Sequence, residues 1–132
     1  MKTLVDTNVL LDVITQDKTW CSWSESALRK AAEHSILAIN PIIFAEVSMK
    51  FAAIEDADAA LVDFAREPLP YEAGFLTGKA FLAYRKRGGT KRARPRRNRA
   101  LAHAVVASMT LLTRDAARYR SYFPALHIIA PG

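Results

Sequence analysis

Short apolar runs alternate with longer stretches of helical spacing along the whole chain. Lys2 to Val5 reads as a strand closed by Asp6, and Asp6 or Thr7 is placed to cap a helix through Asn8, Val9, Leu10 and Leu11. Ser22 or Ser24 opens a second helical stretch toward Ala32, and Ile36 to Ile39 forms another short apolar run. Asn40-Pro41 is a clear helix start, a capping side chain followed by proline at the first helical position, with the helix running to about Ala53. Asp56 to Arg66 again has helical spacing, and Pro68 and Pro70 break it. Tyr71 to Arg87 predicts a helix with basic residues in its last turn and Gly88-Gly89 as its stop. Thr90 to Arg99 reads as a basic loop, followed by a small apolar helix over Ala100 to Met109. A strand over Thr110 to Thr113, a short helix over Ala116 to Tyr122 and a closing strand over Leu126 to Ala130 complete the pattern. Strands and helices in alternation predict an α/β fold around a parallel sheet.

At 132 residues the chain is one domain by length and long enough to bury a core without staples. Its single cysteine, Cys21, allows neither an intrachain disulfide nor a cysteine metal cluster, and a reducing compartment is expected. No leader is visible, since Asp6 falls where an apolar signal core would begin, and no apolar run reaches the roughly 18 residues that cross a bilayer. A cytoplasmic protein without a membrane partner is expected. The net charge of +6 hides a division. Residues 1–84 carry 7 basic and 12 acidic side chains, a net of −5, whereas residues 85–132 carry 12 basic and one acidic, a net of +11. Such a cationic third suits a polyanion such as nucleic acid, or is a solvated basic surface.

In parallel sheets ligands bind beyond the carboxyl ends of strands. Asp6 and Asp115 both fall at such places, where an acid serves equally as a helix cap. Glu46 is more informative. Its helical neighbours are Ile42, Ile43, Met49 and Lys50, three of them apolar, so its carboxylate must be paired, with Lys50 or an arginine, hydrogen-bonded, or bound to a metal. Three carboxylates converging on one crevice would suit magnesium or manganese, which favour hard oxygen ligands and serve phosphodiester cleavage.

These residues carry a resemblance. Leu4-Val5-Asp6-Thr7-Asn8-Val9-Leu10-Leu11-Asp12 resembles the opening motif of PIN domains. Asn40-Pro41-Ile42-Ile43-Phe44-Ala45-Glu46-Val47-Ser48 resembles their glutamate-bearing second motif. Ala102-His103-Ala104 and Met109-Thr110-Leu111-Leu112-Thr113-Arg114-Asp115 resemble their last stretch, and the order is kept over nearly the whole chain. The pattern is most similar to VapC-type toxins of bacterial toxin–antitoxin pairs. The resemblance implies a single PIN domain over residues 1–132 with a three-layer α/β/α fold and a central parallel sheet. It implies an Mg2+- or Mn2+-dependent endoribonuclease, a homodimer, and a cognate antitoxin that binds DNA and lets the pair repress its own operon. By the same resemblance Asp6, Glu46 and Asp115 are metal-binding and catalytic positions, with Asn8 and Thr113 supporting them.

The chain departs from the family in one place. Relatives carry a further aspartate upstream of the Ala-His-Ala histidine, where this chain has Arg97 in the acid-free run Lys-Arg-Ala-Arg-Pro-Arg-Arg-Asn-Arg, residues 91–99. One carboxylate is thus missing, and weakened cleavage, or a PIN scaffold that binds RNA or an antitoxin without cleaving, is the expected consequence. His103 reads as a buried structural residue, and Trp20 and Trp23 as core or dimer contact. The nine basic residues from Arg85 to Arg99 read either as an RNA-binding segment or as a solvated loop. Phosphoacceptor enzymes fit poorly: Asn8 stands where dehalogenase-like phosphatases need a second aspartate, and the acidic pair of receiver domains is absent.

Overall fold

The computed structural model describes residues 1–86 and 95–132, apart from the side chains of 81, 84, 95–99, 118, 121 and 122. Five strands form one parallel sheet: β1 (Lys2–Val5), β2 (Ile36–Ile39), β3 (Ala65–Arg66), β4 (Thr110–Leu112) and β5 (Ile128–Ile129), in the order β3-β2-β1-β4-β5. Seven helices accompany them among the described residues: α1 (Thr7–Ile14), α2 (Cys21–His34), α3 (Pro41–Ser48), α4 (Ile54–Ala60), α5 (Tyr71–Lys86), α6 (Pro95–Val106) and α7 (Ala116–Tyr122). This is the predicted α/β fold with a central parallel sheet flanked by helices.

Strand β1 is the middle of the sheet, with Leu4 set between Ala38 of β2 and Leu111 of β4. Leu4, Val5, Leu111 and Leu112 are fully buried. Both faces of a parallel sheet are covered, so such strands read as continuous apolar runs rather than alternating ones. Helix α6 packs on β1 and β4, and α5 and α3 pack on α6, while α1 packs against α2 and α3. Core side chains from every layer meet, among them Val9, Ile43, Val47, Leu61, Leu101 and Tyr119.

Several boundaries differ from expectation, each for a local reason. Helix α3 stops at Ser48 rather than Ala53. The Ser48 hydroxyl donates to the Phe44 carbonyl, and the amides of Met49, Lys50 and Phe51 each reach back three residues, a tightening that ends the helix and seats Phe51 on the core. The predicted helix over Asp56 to Arg66 divides into α4 and the edge strand β3, which is too short to show a periodicity and is stopped by Pro68. Pro95 opens α6, so residues 95–99 are helical rather than loop. The stop at Gly88-Gly89 and the basic residues 87–94 lie outside the described residues. The closing strand is only Ile128–Ile129. Neither Ser22 nor Ser24 caps α2, whose N-cap position is Trp20; the Asp17 carboxylate there accepts the amides of Thr19 and Trp20 instead.

Helices α1 and α6 end alike. The Asp17 amide donates to the Asp12 carbonyl and the Gln16 amide to that of Val13; the Met109 amide donates to the Ala104 carbonyl and the Ser108 amide to that of Val105. This is the Schellman pattern, and it forces the penultimate residue into the left-handed region: φ is 52° at Gln16 and 55° at Ser108.

Candidate functional site

The chain steps outward from β1 to β2 and β3, then crosses back to add β4 and β5 on the other side, so the direction of strand progression switches between β1 and β4. In doubly wound sheets this switch opens a crevice at the carboxyl ends of the strands. Asp6 ends β1 at that point, its amide donating to the Leu112 carbonyl at 2.9 Å. Its backbone begins α1, but its side chain makes no capping bond. The carboxylate is only 3% exposed and instead accepts the Thr113 hydroxyl at 2.7 Å. Of the two roles open to Asp6 in the sequence, side-chain capping is the one the structure removes.

Thr113 is the hub. Its hydroxyl donates to Asp6 and accepts the Asn8 side-chain amide at 3.4 Å and the Asp115 backbone amide at 3.1 Å. A hydroxyl has one proton and two lone pairs, so this fully buried group is saturated and its orientation fixed. Asn8 answers with its other end, its Oδ1 accepting the Arg114 amide at 3.3 Å. Asp115 is half-buried at the N-cap position of α7, again without a side-chain capping bond.

Glu46 comes from the far side. Helix α3 turns this half-buried carboxylate onto α1, where Oε1 accepts the Thr7 hydroxyl at 2.8 Å. Of the alternatives open to Glu46 the hydrogen bond is the one seen, to Thr7, and no pairing with Lys50 or an arginine forms among the described residues. The site thus joins Asp6, Asn8, Thr113 and Asp115 through one hydroxyl, with Glu46 reaching the adjacent residue Thr7. Thr7 is the member of this set that sequence reasoning missed, and its place beside Asp6 was the available signal.

A second polar cluster adjoins the first and was also missed. Asp12, 3% exposed, receives both Nε and Nη2 of Arg114, at 2.6 and 3.0 Å, and the Ser24 hydroxyl at 2.6 Å. The Arg114 guanidinium lies 5.0 Å over the Trp20 ring, and Trp20 meets Trp23 edge-on. Trp23 packs on the core, one of the two roles, core or dimer contact, expected of both tryptophans. An aspartate one turn after Asn8 and Val9, on an otherwise largely apolar helix, was the sequence signal for this cluster.

Asn40 joins α3 to α6. Its Oδ1 caps α3 by accepting the Ile43 amide at 3.0 Å, and its Nδ2 donates to the Ala100 carbonyl at 2.9 Å and faces His103 Nδ1 at 3.3 Å. His103 is buried, as expected of a structural histidine. Burial pushes its pKa below 6.5; Glu67 opposes and Lys2 adds to that shift. Because Asn40 Oδ1 is taken by the Ile43 amide, the group facing Nδ1 is the donor Nδ2, and Nδ1 accepts from it.

Among the described residues, no three Asp, Glu, His or Cys side chains gather closely enough to enclose a metal ion. A magnesium-type ion needs no such cage; it takes one or two carboxylates and retains water. The oxygen donors at this rim suit that mode of binding. Two hollows, of about 420 and 460 Å³, lie elsewhere, one beside α2 near Trp23, Lys30 and Ile129 and the other beyond β2 near Phe44 and Arg66. Neither hollow is lined by Asp6, Glu46 or Asp115, so the carboxylate rim is a separate place on the surface. Arg97 falls in the first turn of α6, a helix that packs on α3, and its side chain lies outside the described residues.

No protein-family model and no curated protein sequence matches the chain. Solved structures do match. The fold is shared with VapBC2 from Rickettsia felis bound to a DNA fragment from its promoter, at a TM-score of 0.75 and 19% identity over 100% of both chains. VapBC-1 from nontypeable Haemophilus influenzae matches with a TM-score of 0.76 and 13% identity over 98% of both chains. A toxin–antitoxin complex from Klebsiella pneumoniae matches with a TM-score of 0.70 and 20% identity, also over 98% of both chains. At these identities the likeness is one of fold. No helix among the described residues is long and apolar enough to cross a membrane.

Proposed function

We propose that this chain is the toxin of a type II toxin–antitoxin pair, a PIN-domain endoribonuclease dependent on Mg2+ or Mn2+ and weakened by Arg97. The observation that carries the reading is the crevice itself. At the sheet's switch point Asp6 and Glu46 each take a threonine hydroxyl on a carboxylate oxygen, with Asp115 alongside. Toxin–antitoxin complexes of the same fold support the assignment.

One or two of the Asp6, Glu46 and Asp115 carboxylates would hold the ion, the rest of its shell being water; when bound it supplies water activation and charge stabilisation of the leaving oxygen. The residues around them have defined tasks. Thr113 holds the Asp6 carboxylate in one orientation, and Thr7 does the same for Glu46. Asn8 ties the turn carrying Asp115 to α1. The cationic C-terminal third attracts the RNA backbone. Arg97 is the weakness: it sits at the positive end of α6, where an aspartate would be favoured by the helix dipole and an arginine is not. A homodimer and an antitoxin are the expected partners. The exposed Tyr71, Phe75 and Leu82 of α5 offer them apolar surface, in a cytoplasmic setting.

A second reading is a scaffold that binds RNA or antitoxin without cleaving, favoured by the lack of a three-carboxylate group among the described residues. An RNA cleavage assay with and without manganese, on wild type, Arg97→Asp and Arg97→Ala, separates the two. The nuclease reading expects slow metal-dependent cleavage in wild type and a gain in Arg97→Asp greater than in Arg97→Ala. Equal gains would assign the defect to repulsion rather than a lost ligand. No cleavage by any of the three would favour the binding scaffold.

A further inference from the structure

We infer that Asp12 is a positioning residue for the carboxylate crevice and acts through Arg114, aiming the turn that carries Thr113 and Asp115 while keeping the guanidinium away from the acids. The effect on ion binding rests on the proposed function above; the effect on the turn does not.

Arg114 stands between two site residues. Its backbone amide is fixed on Asn8 and its side chain on Asp12. Asn8 and Asp12 are four positions apart on α1, so they share a face and lie roughly 6 Å apart along the axis. One contact would leave the turn free to pivot. Two contacts a helical turn apart set its direction as well as its place. The Thr113 hydroxyl is saturated and admits little misplacement, so that direction decides whether Asp6 keeps its 2.7 Å partner. The guanidinium in turn has little freedom: the Asp12 fork engages two of its nitrogens, Trp20 covers one face, and Ser24 fixes the accepting oxygen.

Charge gives the clamp its second effect. Without Asp12, a long flexible cation would be released one residue from Thr113 and from Asp115. It would then compete with a divalent ion for the same carboxylates. An ordinary structural ion pair predicts that removing both partners restores fold stability and protection of the turn together, since no buried charge is left unpaired, with no separate effect on ion binding. The positioning role predicts a partial rescue, because the double variant has no cation to release.

The experiment compares wild type, Asp12→Asn, Arg114→Met and the double variant. Manganese affinity is read by calorimetry on the apo protein, and exchange of the Arg114 and Asp115 amides by NMR against core amides such as Leu111. Asp12→Asn is expected to weaken manganese binding at least tenfold and to speed exchange at Arg114 and Asp115 more than at Leu111. The double variant is expected to regain part of the manganese affinity while exchange stays fast. Equal manganese losses in the single and double variants, or a uniform rise in exchange at all amides, would overturn the inference. If wild type binds no manganese, the nuclease reading fails, while the exchange comparison still decides the aim of the turn. Should Asp12→Asn not fold, Arg114→Lys keeps the charge without the fork; wild-type exchange at both amides in that variant would refute the clamp.

Discussion

Asn40→Ala tests how the site is built, because this side chain serves two helices at once. It is 2% exposed, caps α3 through the Ile43 amide, and donates to the Ala100 carbonyl and toward His103 on α6. Loss of the cap costs about 1 kcal/mol. Leaving the buried carbonyl and imidazole nitrogen without a donor adds about 1–3 kcal/mol. The expected destabilisation is therefore about 2–4 kcal/mol. For 132 residues the unfolding entropy is about 0.28 kcal/mol/K, so the melting temperature should fall by about 7–14 °C. Urea unfolding at pH 7.5 measures the loss directly. Asn40→Asp is the companion: it keeps the cap acceptor, removes the donor, and sets a carboxylate beside His103, which should raise that histidine's pKa. A loss below about 0.5 kcal/mol in Asn40→Ala would refute the double role, and an unshifted His103 in Asn40→Asp would refute its proximity to the ring.

The other predictions are simpler. Because burial lowers the pKa of His103, the unfolded chain binds the extra proton first as pH falls through about 6.5; stability is complete above that value and declines below it, toward the folded pKa. Urea midpoints at pH 7.5 and 5.5 should differ in that direction, and an NMR titration of His103 at or above 6.5 would contradict the burial account. Gln16→Gly and Ser108→Gly relieve a left-handed φ at two helix ends; each should be neutral to stabilising by up to about 1 kcal/mol in thermal melts, and a clear loss in both would contradict the strain argument. Leu111→Ala empties a fully buried place beside Leu4 and should cost about 2–5 kcal/mol in urea unfolding, with under 1 kcal/mol showing that the sheet centre can collapse around it.

The sequence made some elements plain and concealed others, for physical reasons. Lys2–Val5, Ile36–Ile39 and Tyr71–Lys86 were legible because burial on both sides, or a full helical stripe, writes a long pattern. Asn40 was legible as a cap, because a cap bond is local, but not as a link to Ala100, which lies 60 positions away. The strand β3 was hidden because two residues paired at an edge carry no periodicity of their own. In the site, strand-end position singled out Asp6 and Asp115, and the apolar flank singled out Glu46. The hydroxyls that tie them together were not foreseeable from spacing alone. Asp12 was misjudged as the tail of a motif because its partner, Arg114, lies 102 positions along the chain. Such pairs become visible only when the sheet order is known.

The bond from Thr113 to Asp6 spans 107 positions and bridges the middle strand to a neighbour from the last part of the chain. Parallel pairings over such separations form late, since a long loop must close first. While the segment around Thr113 is still inside the ribosome, the emerged chain already holds Asp6, Thr7 and Glu46. It has no β4, no saturated hydroxyl and no crevice. Synthesis therefore works as a timer on whatever chemistry the crevice performs. A chain that stops short of β4 carries the acids of its first half but none of the hydrogen bonds that Thr113 supplies to gather them.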